Sequence, residues 1–111
     1  MLYILLTRLS DDGQKKMLEN PDLFNNVCSD LNVPGTQLLA RYGVLGEYDF
    51  VLIAEAANNE SIARLSLSLG ARAGLHIETL PAITANFLEM PTRENAKNEP
   101  LRSEPPKEVR G

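Results

Sequence analysis

Hydrophobic and polar positions along the chain follow two periods, one typical of strands and one typical of helices. Residues 2–9 are apolar at both parities until their end, which is typical of a strand covered on both faces. Residues 75–80 alternate strictly and therefore have one apolar and one more polar face. Residues 36–45 and 49–56 flank a glycine-containing turn. The pattern predicts four strands, of which the middle two form a hairpin.

The first helix is predicted to begin at Pro21, with Asn20 as its cap, because proline suits the first helical position. Its inward stripe consists of Leu23, Phe24, Val27 and Leu31. The segment Val33-Pro34-Gly35 ends it, because proline cannot extend the helix and glycine permits the left-handed conformation.

The second helix is predicted to begin at a cap in Asn58-Asn59-Glu60 and to end at Gly70. Ile62, Leu65 and Leu69 form its inner face, and Ser66 and Ser68 are expected on its outer face. The segment Ser10-Asp11-Asp12-Gly13 is interpreted as a turn or a short helical start.

The element order is β-α-β-β-α-β, which predicts an α+β, ferredoxin-like domain over residues 1–90. Two helices should cover one face of a four-stranded antiparallel sheet. Residues 91–111 lack periodic apolar positions and mix charges with prolines, so a flexible polar tail is predicted. The alternative is a segment that docks a protein partner through Leu101 or Val109.

Composition narrows the class of protein. The chain has 111 residues, a net charge of −4 and no tryptophan, which argues against nucleic acid as a partner. Its one cysteine, Cys28, lies among apolar residues and is expected to be a buried thiol. The apolar residues 2–6 are too few for a membrane span and follow no basic residue, so a cytoplasmic protein without a membrane partner is expected. No spacing of ligands indicates a metal or cofactor site.

The most specific segment of the chain is the turn in front of the third strand. It consists of Tyr42-Gly43, the turn Gly46-Glu47-Tyr48-Asp49 and the apolar run that follows. Together with Ser10-Asp11-Asp12-Gly13, this segment resembles the GYD domain family, small proteins without an assigned biochemical activity. The resemblance implies a dimeric α/β barrel, in which two sheets face one another across a two-fold axis. Part of the chain is also similar to the effector-binding domain of leucine-responsive-type regulators, which bind amino acids at subunit contacts. The usual DNA-binding helices are absent from this sequence.

A structural role is predicted for the turn itself. Gly46 is expected to take a backbone conformation closed to β-branched residues, Tyr48 to pack on the end of the sheet, and Asp49 to accept hydrogen bonds. The alternative, Asp49 as a general base, needs a neighbouring acid or electrophile that the adjacent sequence does not supply.

Strand parity predicts a site on the face of the sheet away from the helices. If Phe50, Leu52 and Ala54 face the helices, an apolar face that carries five ionisable residues lies on the other side. These candidate ligand-binding residues are Arg8, Arg41, Glu55, His76 and Glu78. They are predicted to converge between the sheet and a second copy, where an arginine binds the carboxylate of a small organic acid or amino acid and His76 orients a second polar group. Ion pairs and solvated charges at the interface are the alternative.

The functional prediction is a homodimeric or larger module that binds a small ligand or acts as an accessory interaction protein. A cofactor-independent monooxygenase or isomerase of the dimeric α/β barrel type is the alternative, and an accessory subunit of a larger enzyme is a third interpretation. An enzyme requires a deep cavity with His76 or a carboxylate at its base. In an interaction module, Leu39, Val51 and Leu80 could fill that face instead.

Overall fold

A computed structural model describes residues 1–88 of the chain. The elements in chain order are β1 (Leu2–Leu9), α1 (Asp11–Glu19), α2 (Leu23–Asp30), β2 (Thr36–Gly43), β3 (Phe50–Ala56), α3 (Asn59–Ala73), β4 (Leu75–Ala82) and a 3₁₀ turn (Ala85–Leu88). The tail predicted over residues 91–111 lies outside the described residues. Within residues 1–88, no helix is long and apolar enough to cross a membrane.

The four strands form one antiparallel sheet in the order β2-β3-β1-β4. The helices pack on one face, so the predicted α+β, ferredoxin-like arrangement is confirmed. Buried and less buried side chains alternate along the two central strands, β1 and β3, as expected. On β1, Tyr3, Leu5 and Thr7 are buried under the helices, whereas the residues between them are only half-buried.

The first crossover contains two helices, and the helix predicted to begin at Pro21 is α2, which begins at Leu23. Ser10 caps α1 by accepting a hydrogen bond from the Gly13 backbone N–H at 2.9 Å. Asn20 closes α1, since its backbone N–H donates to the Lys16 carbonyl, and Asp22 is the cap residue of α2. The Asn20 side-chain oxygen accepts a hydrogen bond from the Asp22 backbone N–H at 3.2 Å. The proline at position 21 disfavours helical geometry at Asn20, which explains why the helix stops there.

A close contact between two glycines joins α1 to the start of β4. The Ser10 hydroxyl and the Ser10 backbone N–H both donate to the Gly74 carbonyl, at 3.0 and 2.9 Å. A Cβ atom on Gly13 would overlap this carbonyl group. The predicted helical start at Ser10-Asp11-Asp12-Gly13 is therefore confirmed, and its glycine serves this close packing.

Helix α3 continues three residues beyond the predicted end at Gly70 and stops at Gly74, whose φ of 74° is left-handed. Gly70 lies inside the helix against the Leu75 carbonyl, where a side chain would have no room. The prediction that Ser66 faces outward is also wrong. Its hydroxyl is 2.7 Å from the Thr79 hydroxyl of β4 and the two are hydrogen-bonded.

A β-bulge interrupts the pairing of β2 with β3. Leu38 pairs with Ala54, but Ala40 pairs with Ile53, so Leu39 is an extra residue in the strand. Beyond the bulge, Arg41 lies opposite the buried Leu52, on the helix side of the sheet. The predicted position of Arg41 on the other face is therefore wrong, because counting by twos assumes an uninterrupted strand.

Candidate functional site: the open face of the sheet

The face of the sheet without helices, called the open face below, is largely aliphatic at its centre. Its central residues come from β1 and β3 and are half-buried within the single chain: Leu2, Ile4, Leu6, Val51 and Ile53. The edge strands add the partly exposed side chains of Leu39, Tyr42 and Leu80. A continuous apolar surface of this kind is typical of a contact with another protein layer.

A polar cluster closes one end of the open face, and the loop between β2 and β3 organises it. This Tyr48 cluster consists of Arg8, Glu47, Tyr48 and Glu78. The guanidinium of Arg8 lies 5.2 Å from the centre of the Tyr48 ring and 3.6 Å from the Glu47 carboxylate. Arg8 is therefore held by an ion pair and a cation–π contact, and its side chain remains 51% exposed.

Tyr48 also reaches across β1 to the edge strand. Its hydroxyl donates a hydrogen bond to Glu78 Oε1 at 3.0 Å. Glu78 raises the pKa of Tyr48 above its ordinary value, mainly because it accepts this hydrogen bond and also because it carries a negative charge. The Tyr48 ring thus links the loop, β1 and β4 at this end of the sheet.

Asp49 and Gly46 give the loop its shape. Asp49 Oδ2 accepts a hydrogen bond from the Leu9 backbone N–H at 2.8 Å, and the Asp49 backbone N–H donates to the Thr7 carbonyl. The carboxylate therefore ties the loop to the end of β1. Gly46 has a φ of 123°, which favours glycine, and no neighbouring atom would contact a Cβ there.

The five predicted ligand-binding residues lie in three separate places. Arg8, His76 and Glu78 are close together, because Arg8 pairs with His76 and Leu6 pairs with Glu78 in the β1–β4 register. Glu55 lies on the same face but pairs with Leu2, six residues away from Arg8 along β1. This separation corresponds to about 20 Å of extended strand.

Glu55 belongs to a different cavity at the opposite end of the sheet. That cavity has a volume of about 370 Å³ and is lined by Met1, Gln37 and Glu55 among others. The N-terminal ammonium group of Met1 donates to the Ala56 carbonyl at 2.9 Å beside it. Glu55 is therefore too far from Arg8 for one small molecule to contact both residues within a single chain.

Arg41 contacts the helix layer instead of the open face. It lies close to the thiol of Cys28, a buried residue of α2. Burial raises the pKa of the Cys28 thiol, and the nearby Arg41 charge lowers it by a smaller amount. A buried cysteine was predicted, but its arginine neighbour was not.

The chemistry available to this site is modest. His76 is exposed on the edge strand β4 and also lines a cavity of about 480 Å³ against α3 with Leu67 and Gly70. Among residues 1–88, no three His, Cys, Asp or Glu side chains are placed to hold a metal ion. Arg8 and Glu78 already have partners within the Tyr48 cluster. The cluster can stabilise a protein contact or bind a carboxylate through Arg8, and its polar groups are largely satisfied by one another.

Sequence reasoning did not identify Glu47 as a member of this site. Strand parity places residues only within strands, whereas Glu47 and Tyr48 lie in a six-residue loop after β2. The available signal was the opposite charge of Glu47 and Arg8. Glu47 lies two positions before Asp49, and Asp49 anchors the loop beside Arg8.

The fold and this site together define a ferredoxin-like domain with a glycine-containing loop that closes one end of an uncovered sheet face. The sequence profile of the GYD domain matches residues 3–96. The chain belongs to the GYD domain family, which confirms the resemblance found in the Gly46-Glu47-Tyr48-Asp49 turn.

A curated relative from Thermus thermophilus is 38% identical over 82 residues. The matched region covers 73% of this chain and 86% of the relative. That protein is named a glutamine synthetase and cystathionine beta-lyase binding protein.

Solved structures with the same fold include transcriptional regulators. The feast or famine regulatory protein of M. tuberculosis, in complex with L-methionine, superposes with a TM-score of 0.55 at 15% identity. Another structure, described as a transcriptional regulator, has a TM-score of 0.56 at 14% identity. Each match covers 81% of this chain, but the chain spans only 56% of the length of these proteins. The predicted similarity to leucine-responsive-type regulators is confirmed as a likeness of fold.

Proposed function

We propose that this protein is a self-associating accessory module that binds other proteins, with its open face packed against a second copy. The observation that carries the proposal is the aliphatic centre of the open face. Leu2, Ile4, Leu6, Val51 and Ile53 are half-buried in the single chain. A second layer would complete their burial, and each fully buried aliphatic side chain contributes about 1.5–3 kcal/mol relative to an exposed one.

The Tyr48 cluster supports a contact surface more than a catalytic cavity. Its charged groups have partners within the chain, Glu47 for Arg8 and Tyr48 for Glu78. A polar rim around an apolar centre is the ordinary composition of a protein interface. A catalytic acid or base would instead need an unsatisfied group directed at a substrate.

The relative from Thermus thermophilus supports binding to other proteins. Because it is named for binding two enzymes, we propose that this chain also binds an enzyme, with glutamine synthetase and cystathionine beta-lyase as the first candidates. The free, buried thiol of Cys28 is compatible with the proposed cytoplasmic location.

Direct binding measurements test this function. The immobilised protein is exposed to purified glutamine synthetase and cystathionine beta-lyase of the same organism, and association is followed by biolayer interferometry. Saturable binding of either enzyme supports the proposal. Absence of binding to both enzymes, at concentrations where the immobilised protein is folded, contradicts it.

A second candidate function is the binding of a small carboxylate between two copies, at Arg8, His76 and Glu78. The exposed guanidinium of Arg8 favours it, and a protein of the same fold has been solved with L-methionine. Glu55 could join such a site only if the second copy supplied it from the other end of its sheet. Thermal-shift measurements with amino acids test this candidate, because a ligand that binds only the native state raises the melting temperature. The shift should vanish in Arg8→Met and persist in the control Arg72→Met, a change at the end of α3.

The enzyme hypothesis depends on a cavity that two open faces would have to enclose. His76 would have to lie at the base of that cavity, but in the single chain it is exposed at the sheet edge. An assay for cofactor-independent oxygenation or isomerisation is therefore worthwhile only if a ligand first binds at Arg8.

A further inference from the structure

A third cavity lies on the helix side of the sheet, away from the open face. It lies where the end of α2 and the following loop meet the edge strand β2, and its volume is about 300 Å³. This is the lower end of the range for small-molecule sites in proteins. Its apolar lining comes from Leu31, Leu38 and Leu65. Its polar lining includes Asn32, Thr36 and Arg41.

Arg41 is directed to this cavity by the β-bulge. Without the extra residue Leu39, the arginine would share the open face, and bulges often redirect a side chain in this way next to functional sites. No carboxylate of residues 1–88 lies within 4.0 Å of its guanidinium. The cation also lines a smaller neighbouring cavity of about 190 Å³, beside Phe24 and Phe50.

The composition of the larger cavity defines the chemistry of a ligand. A guanidinium binds a carboxylate through two parallel hydrogen bonds. Among residues 1–88, no acidic side chain forms an ion pair with the Arg41 guanidinium. The three leucines give a short hydrocarbon chain an apolar surface beside the polar part of the lining. We propose that this cavity binds a small aliphatic monocarboxylate, with Arg41 holding the carboxylate and Leu31, Leu38 and Leu65 contacting the chain.

This site is independent of the proposed function. Arg41 and the open-face residues lie on opposite sides of the sheet, so loss of self-association need not alter the cavity. The site also differs from the second candidate at Arg8. The two arginines can therefore serve as controls for one another.

Cys28 supplies a reporter for the cavity. It is the only cysteine of the chain and lies in the cavity wall. Because Cys28 is buried, a thiol reagent such as DTNB reaches its sulfur atom only when the chain opens locally, and a ligand bound against Arg41 would slow this reaction by stabilising the closed form. The ligand would also change the surroundings of the amide groups of Asn32 and Thr36.

Hexanoate is the probe for this proposal, and hexanol is the matched probe without a carboxylate. Hexanoate should shift the amide resonances of residues 31–41 in ¹⁵N-correlated NMR spectra and slow the reaction of Cys28 with DTNB. Hexanol should bind about tenfold more weakly or worse, because the charged hydrogen bonds to Arg41 are absent.

Variants assign the effect to Arg41. Arg41→Met should weaken hexanoate binding about tenfold or more, Arg41→Lys should retain part of it, and Arg8→Met should leave it unchanged. Circular dichroism and the melting temperature confirm that each variant is folded. Arg41→Gln replaces Arg41→Met if the latter does not fold. Equal affinity for hexanoate and hexanol, equal affinity in wild type and Arg41→Met, or loss of binding in Arg8→Met would overturn the proposal.

Discussion

The two faces of the sheet are built from the same strands but differ in how complete their packing is. Leu5 and Leu52, which face the helices, are fully buried, at 0% exposed. Ile4 and Ile53 are their neighbours in sequence and are similarly apolar, yet they are only half-buried. The helix side is therefore a fully packed core. The open face is as apolar as a core, but no helix or strand of the described chain covers it.

This difference separates two roles of hydrophobic residues in one strand. The helix-side residues stabilise the single chain, and their contribution should not depend on protein concentration. The open-face residues should contribute most when a second layer covers them, so their contribution should grow with concentration. Mutations of adjacent residues can distinguish the two roles.

The largest expected effect is on the helix side. Leu52→Ala should lower the free energy of unfolding by about 2–5 kcal/mol at every protein concentration, because it leaves a cavity in a fully packed core. Ile53→Ala is the matched variant on the open face. The loss in free energy of unfolding that it causes, measured with urea, should increase with protein concentration. Equal, concentration-independent losses for the two variants would contradict the difference between the faces.

The glycines of the two regions should respond differently to a methyl group. Gly13→Ala should lower the free energy of unfolding by about 2 kcal/mol or more, because the new Cβ would overlap the Gly74 carbonyl on the helix side. Gly46→Ala should cost only about 1 kcal/mol, from its positive φ alone, since the loop has free space at this point. Chemical denaturation of both variants provides the measurement. A larger loss for Gly46→Ala than for Gly13→Ala would show that the loop is the more tightly packed of the two regions.

The Asp49 carboxylate should matter for stability and not for ligand binding. Asp49→Ala leaves the Leu9 backbone N–H without its acceptor and should lower the free energy of unfolding by about 1–3 kcal/mol. Asp49→Asn keeps an acceptor oxygen and should recover part of this loss. If Asp49→Ala left stability unchanged but abolished a measured activity, the structural role of Asp49 would be wrong.

The smallest expected effect concerns the ionisation of Tyr48. Because Glu78 raises its pKa, the neutral phenol is favoured in the folded protein. This contribution to stability is fully present below the ordinary pKa of tyrosine and is lost as the pH rises through the raised value. NMR titration of ¹³C-labelled tyrosine should show Tyr48 ionising at a lower pH in Glu78→Ala than in the wild type. An unchanged titration would exclude the Tyr48–Glu78 hydrogen bond.

Much of the fold follows from local sequence patterns. The apolar run of residues 2–9 predicts β1, and the strict alternation of residues 75–80 predicts both β4 and its inward face. The end of α1 was missed because Asn20-Pro21 can begin one helix or end another, and the tertiary contact between Gly13 and Gly74 is not visible in a local pattern.

The candidate site was predictable only in part. Arg8, His76 and Glu78 follow from strand parity, and the register brings them together. Arg41 does not, because one extra residue in β2 reverses the parity of every position beyond it. Glu47 and Tyr48 lie in a loop, where side-chain direction depends on backbone geometry that no period describes.

Sedimentation velocity of the wild-type protein tests the central claim, that the open face is covered by a second copy, most directly. The account predicts a dimer or larger species at micromolar concentration. It also predicts dissociation in Ile53→Asp, which places an unpaired charge in the contact, and no change in the control Leu67→Asp on the outer side of α3. A wild-type protein that stays monomeric at high concentration, or an Ile53→Asp variant that associates as the wild type does, would contradict it.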